Sequence, residues 1–191
     1  FTLYELLVIV GIMTILTSIV FAYTRRSEGQ IALFRDRAAL ASGILRAKAT
    51  AIQTFRTDPL SGPVCGYGIR LERSRFVLFR ELPSKDPLSG ALQCSSAPDF
   101  YSGAEEEIEV YTFDKRVVLS FCGDDGSTCD PIGSGNSAAL EVLFVPPDPR
   151  VFFLPSDASW SEFRIAPALL DGSSRAADVV INRAGQVAVG L

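Results

Sequence analysis

FTLYELLVIVGIMTILTSIVFAYT, residues 1–24, holds one charged side chain, Glu5. From Leu6 to Thr24, nineteen consecutive residues carry no charge. At ~1.5 Å of rise per residue this run covers about 28 Å, close to the ~30 Å hydrocarbon core of a bilayer. Arg25 and Arg26 end it abruptly. The stretch predicts a membrane-spanning helix. Glu5 is its anomaly, because an acid at mid-membrane costs on the order of 2.5–3.5 kcal/mol, and less near an interface. A chain that keeps such a residue is expected to hold a partner for it. No basic segment precedes the run and no small-residue cleavage site follows it, so it does not read as a removable signal peptide. Starting at Phe1 without Met, it is expected to be a mature anchor that has lost a leader.

Working outward, residues 25–57 read as the amphipathic second half of the same helix. Phe34, Ala38, Ala41, Leu45, Ala49 and Ile52 recur at helical spacing and predict one apolar face, with Arg35, Asp36, Arg46 and Gln53 elsewhere on the wheel. Gly29 and Gly43 weaken the helix, and Pro59 ends it. From Val64 the period changes to two. Gly66–Leu71 and Phe76–Glu81 predict a hairpin around Glu72-Arg73-Ser74. Ile108–Phe113 and Val117–Phe121 predict a second hairpin turning at Asp114-Lys115. Ala139–Val145, Arg150–Leu154, Glu162–Ile165, Asp178–Ile181 and Gln186–Val189 complete the run of short strands, with a turn at Asn182-Arg183-Ala184-Gly185. The expected class is α+β. A hydrophobic helix over residues 1–24 and its amphipathic extension over 25–57 pack on a disulfide-containing antiparallel domain over 58–191. The sheet is expected to cover the Ala-rich face of the extension.

Composition narrows the chemistry. The chain has 191 residues, 48% of them hydrophobic and 21% charged, with a net charge of −4. An acidic balance disfavours general nucleic-acid binding, which needs a positive face. There is no His, which removes the commonest general base, and no P-loop or zinc-ligand pattern. A non-enzyme without a cofactor is expected. Four cysteines, Cys65, Cys94, Cys122 and Cys129, fit two disulfides in an oxidising compartment.

Phe1-Thr2-Leu3-Tyr4-Glu5-Leu6-Leu7-Val8 resembles the N-terminus of the type IV pilin and pseudopilin family. The usual pattern there is Phe-Thr-Leu-Ile-Glu-Leu ahead of an apolar run. The resemblance implies a long helix followed by a small β domain. It also implies that a prepilin peptidase cleaves ahead of Phe1, that the new Phe1 amino group is methylated, and that the subunit waits in the inner membrane. Pilus assembly machinery would then draw it into a helical filament of identical subunits, whose core is a bundle of these helices. In such a bundle Glu5 would face the Phe1 amine of a neighbour, neutralising two buried charges. Many members carry a Pro near the end of the apolar segment. This chain has Val20-Phe21-Ala22-Tyr23 there, which moves the resemblance toward pseudopilins and divergent pilins. The phrases Leu143–Pro149 and Val179–Val187 look similar to the FimT/GspH-like branch.

Smaller constellations complete the reading. Cys122-Gly-Asp-Asp-Gly-Ser-Thr-Cys129-Asp130 reads first as a polar turn closed by a Cys122–Cys129 disulfide, which leaves Cys65–Cys94 as the second pair. Three connectivities remain open. A weaker reading makes Asp124, Asp125 and Asp130 oxygen ligands of Ca²⁺. Glu105-Glu106-Glu107 reads as a solvated loop entering a strand. Arg70, Arg73, Arg75 and Arg80 cluster around the first hairpin but alternate with Glu72 and Glu81, so nucleic acid is not the expected partner. Phe152, Phe153, Trp160 and Phe163 read as packing residues. The leading functional expectation is a filament-forming structural subunit that passes from the inner membrane to the cell surface. The alternatives are a minor pseudopilin of a type II secretion system, placed in the periplasm, and a minor DNA-binding or adhesive pilin.

Overall fold

The expected long helix is one element, α1, Leu3–Thr57, 55 residues without a break. The computed structural model describes residues 2–57, 64–85, 92–94, 100–122, 129–133, 139–146, 150–154 and 162–190. The helix passes through Gly11 and through residues 20–23, which hold no Pro. Its hydroxyls stay satisfied inside an apolar run by bonding one turn back. Thr14 donates to the Val10 carbonyl at 2.7 Å, Thr17 to Met13 at 2.7 Å, Ser18 to Thr14 at 2.8 Å and Thr24 to Val20 at 2.9 Å.

Twelve strands follow: β1 Gly66–Leu71, β2 Arg75–Glu81, β3 Ser84–Lys85, β4 Leu92–Gln93, β5 Glu107–Thr112 and β6 Val117–Cys122, then β7 Cys129–Pro131, β8 Leu140–Val145, β9 Arg150–Leu154, β10 Glu162–Leu169, β11 Val179–Asn182 and β12 Val187–Val189. They form two antiparallel five-stranded sheets, ordered β5-β2-β1-β8-β9 and β12-β11-β10-β6-β7, beside the small β3-β4 pair. The architecture is α+β, as expected.

Two expected features of the sheet are present. The first hairpin pairs Gly66 with Glu81 through to Leu71 with Phe76, and Glu72 N–H closes its turn on the Arg75 carbonyl at 2.9 Å. The β11–β12 turn places Gly185 at φ 71°, a conformation that favours glycine.

The second expected hairpin does not form. β5 pairs with β2 in the first sheet, whereas β6 pairs with β10 in the second. A tight turn does occur there, since Val117 N–H reaches the Asp114 carbonyl at 2.8 Å. It serves as the crossover between sheets, with Phe113 buried at the corner. β10 also runs four residues beyond its expected end, through Pro167 opposite Leu119. Beyond the β11 ladder, which ends at Ile165, Pro167 takes part on that side only as an acceptor, from Ala176 N–H at 2.8 Å.

The face of α1 that the domain covers differs from the expected one. Leu33, Asp36, Leu40, Ile44, Ala47 and Ala51 are buried. Of the expected face only Ala41 is buried; Phe34 is 58% exposed, Leu45 50% and Ile52 37%. Both sets have helical spacing, so periodicity alone does not choose between them. The buried face contains Gly43, where an added Cβ would lie 2.9 Å from the Phe76 ring, together with Ala47 and Ala51. Small residues there let the sheets approach closely. The helix touches β1, β2 and β8 of the first sheet and β6, β10 and β12 of the second. The sheets meet each other through Phe153 and Phe163, whose rings stack at 4.9 Å. Trp160 lies outside the described residues.

Truncation separates the two faces. Leu40→Ala should destabilise the full-length chain in detergent by about 2–5 kcal/mol. Leu45→Ala should change it by less than about 0.5 kcal/mol. Denaturant unfolding of both variants checks this, and equal losses would contradict the assignment of the buried face.

Candidate assembly surface

The residues that set the outer surface of α1 begin at its first turn. Thr2 is the N-cap and Glu5 stands at the third helical position, a Thr-x-x-Glu capping box. The Glu5 carboxylate accepts from Thr2 N–H at 2.9 Å and from the Thr2 hydroxyl at 3.2 Å, while Thr2 Oγ1 accepts from Glu5 N–H at 3.4 Å. Thus Glu5 has a partner within its own chain. Phe1, the expected processing and pairing residue, lies outside the described residues. The Thr-x-x-Glu spacing that signals the cap is plain in the sequence, but there it is overshadowed by the lone charge of Glu5.

From Leu3 to Phe21 the helix is apolar, long enough to cross a membrane, and none of it is buried against the domain. A mainly apolar stripe continues beyond it. Ile31, Phe34, Ala38, Leu45, Ala49 and Ile52 are all exposed, with the small Ser42 exposed among them. At about 100° per residue these seven fall within a sector of about 80°, on the side of α1 away from the buried face. Leu6, Ile9, Met13 and Val20 extend the same sector toward the N-terminus, all exposed.

Polar bonds hold the domain on the other side of the helix. Asp36 is fully buried on α1. Its carboxylate accepts from the Tyr111 hydroxyl at 2.9 Å and from Asp114 N–H at 2.7 Å, and Arg35 braces it at 3.0 Å. Burial, followed by the bond to Asp36, pushes the Tyr111 phenol up from its ordinary value. Arg116 clamps Asp114 through Nε at 2.9 Å and reaches Glu28 on α1 at 3.6 Å. Farther along, Arg37 donates to the Gly190 carbonyl, Lys48 to the Gly185 carbonyl at 2.8 Å, and Arg46 pairs with Glu109. Of these, Arg35, Asp36 and Arg46 read in the sequence only as positions off the apolar face.

The other candidates are dispersed. Cys65 pairs with Cys94, and Cys122 with Cys129, its cross-strand neighbour between β6 and β7. Asp130 is exposed on β7, while Asp124 and Asp125 lie outside the described residues. Among the described residues no three acidic, His or Cys side chains gather as metal ligands. Arg70 bridges Glu72 at 3.1 Å and Glu141 at 2.7 Å, and Arg75 also pairs with Glu72, so half of the arginine cluster is neutralised. Burial raises the Glu141 carboxyl, against the opposing effect of Arg70. The acidic run is not a wholly solvated loop: Glu106 is buried and accepts from Ser102 N–H at 2.7 Å and Leu82 N–H at 3.5 Å. It fastens the loop ahead of β5 to β2.

No family model, curated protein or solved structure matches the chain. An N-terminal apolar helix followed by a sheet domain is consistent with a pilin-like architecture.

The clamp at the head of the domain has a pH signature. Bonds from Arg116 hold the Asp114 carboxyl at about 2, below its ordinary 3.8. The folded chain therefore takes this proton less readily than the unfolded chain. The stabilisation is complete above 3.8 and drains away as the pH falls toward 2. Asp114→Asn should melt below the wild type at neutral pH, with the gap closing across that acid window. A gap of constant size in thermal melts would show that the charge of Asp114 plays no part.

Proposed function

We propose that this chain is a structural subunit that polymerises through α1 into a type IV pilus-like filament. The observation that carries the proposal is the one-sided attachment of the domain. Apolar surface covers the free side of α1 from Leu3 to Phe21 and again from Ile31 to Ile52, with Thr24 and Ser27 between, and the domain sits only on the opposite side. An apolar patch of this length is unfavourable in water and marks an interaction surface. Lipid can cover the first half. Packing against α1 of other subunits can cover both halves, with the domains left outside. Small side chains at Ala38, Ser42 and Ala49 suit close helix approach.

The pathway that follows is storage, then assembly. The chain rests as a single-pass protein of the inner membrane, is processed ahead of Phe1 by a prepilin peptidase, and leaves for the cell surface through the assembly machinery. Two disulfides suit that destination. On assembly the Glu5 carboxylate exchanges its Thr2 contacts for the Phe1 amine of a neighbouring subunit. The part assigned to the chain is structural rather than catalytic, and no cofactor is assigned.

Two variants test this in the producing cell. Glu5→Ala should leave the protein in the membrane fraction and abolish or strongly reduce sheared filaments. Leu45→Glu should do the same from the far half of the stripe, with the fold intact by circular dichroism. Wild-type filament yield from both variants would overturn the proposal.

A further inference from the structure

We propose that the rim of the domain nearest the membrane, the 114–116 turn and the 169–174 loop, is a second membrane contact that seats on the phospholipid headgroup layer around α1. The proposal rests on reading α1 as a membrane span. Level along the helix is what brings the rim to that layer. Every described side chain from Thr2 to Thr24 is exposed, and the domain first closes on α1 at Glu28 and Gly29. There Arg116 reaches Glu28, and an added Cβ on Gly29 would lie 3.3 Å from Leu169. Gly29 is five residues beyond Thr24, the end of the uncharged run, or about 7.5 Å along the axis. One headgroup layer is about 5–8 Å thick, taking half the difference between the whole bilayer and its hydrocarbon core. Tyr23, 77% exposed, lies at the level where aromatic side chains favour the interface. The rim therefore meets the headgroups as soon as the span is inserted.

Its chemistry fits that layer. Leu170 is 60% exposed at the tip of the loop, beside a cleft of about 910 Å³ bordered by Gly29, Lys115 and Leu169. Among the described rim residues three carboxylates, Glu28, Asp114 and Asp171, stand with two cations, Arg116 and Lys115. Asp114 and Glu28 face Arg116, and Asp171 accepts from Ser173 N–H at 2.9 Å and from its hydroxyl at 2.7 Å. Lys115 is exposed and makes no ion pair among the described residues. What the rim offers outward is the Lys115 ammonium for a lipid phosphate and the Leu170 side chain for the edge of the acyl region, beside the exposed Asp171 carboxylate, whose place is against the amine of a zwitterionic headgroup. Docking there would fix the tilt and rotation of the domain on the membrane before assembly, as interfacial anchors do for a single span.

All four native cysteines are paired, so one added cysteine gives a single labelling site. The full chain is reconstituted in vesicles of phosphatidylethanolamine and phosphatidylglycerol carrying a quencher on the headgroup or on the acyl chain. Fluorophores are placed by Ser173→Cys at the rim, Ala184→Cys at the distant β11–β12 turn and Met13→Cys in the span. The rim probe should lose most of its fluorescence to the headgroup quencher while the probe at 184 keeps it. Adding Lys115→Glu and Leu170→Asp should restore the rim signal without changing acyl-chain quenching at 13. Equal headgroup quenching at 173 and 184, or undiminished quenching in the double variant, overturns the rim contact. Absence of acyl-chain quenching at 13 overturns the membrane reading beneath it.

Discussion

The domain grips α1 from one side only, and the rest of the molecule follows from that grip. Leu33, Leu40 and Ile44 fill the groove between two sheets, while Gly43, Ala47 and Ala51 let the strands come close. Asp36 is the fixed point within this apolar contact. Its buried carboxylate is bonded to the Tyr111 hydroxyl and to Asp114 N–H, which pins the crossover between the sheets to the helix. Breaking such a site leaves buried polar groups unpaired, so the domain has one register on α1 rather than a choice of several. Because the sheets are spent on this side, the opposite stripe stays bare.

A bare stripe gives α1 two successive solvents in the proposed account. Lipid surrounds the N-terminal half first, and other helices surround it later. The capping box suits both states. Within a single chain Thr2 satisfies Glu5 at the helix start; within a bundle the same carboxylate is free to accept a stronger, charged partner.

Much of this was legible in the residues. The length of α1 followed from an uninterrupted apolar and then amphipathic run, and most strands followed from alternation between Gly- and Pro-rich turns, although β3, β4 and β7 were not expected. What failed was the choice of helix face. The stripe through Phe34 and Leu45 is as periodic as the stripe through Leu33 and Leu40, and each holds three large apolar side chains. Periodicity reports that a face is apolar, not what will cover it. The β5–β6 link failed for a related reason. A tight turn at Asp114-Lys115 looks the same locally whether it closes a hairpin or switches sheets; its partners are long-range, among them Asp36, seventy-eight residues away in sequence from Asp114. Glu106 was misread because an acidic triplet gives no sign of which member turns inward.

The most direct measurement is electron cryo-microscopy of filaments sheared from the cells, at a resolution that traces α1. The account predicts α1 helices packed in the centre, with Ile31, Phe34, Leu45 and Ile52 buried against neighbouring helices and the two-sheet domains outside. A filament whose contacts run between domains, with that stripe of α1 left facing solvent, would contradict it.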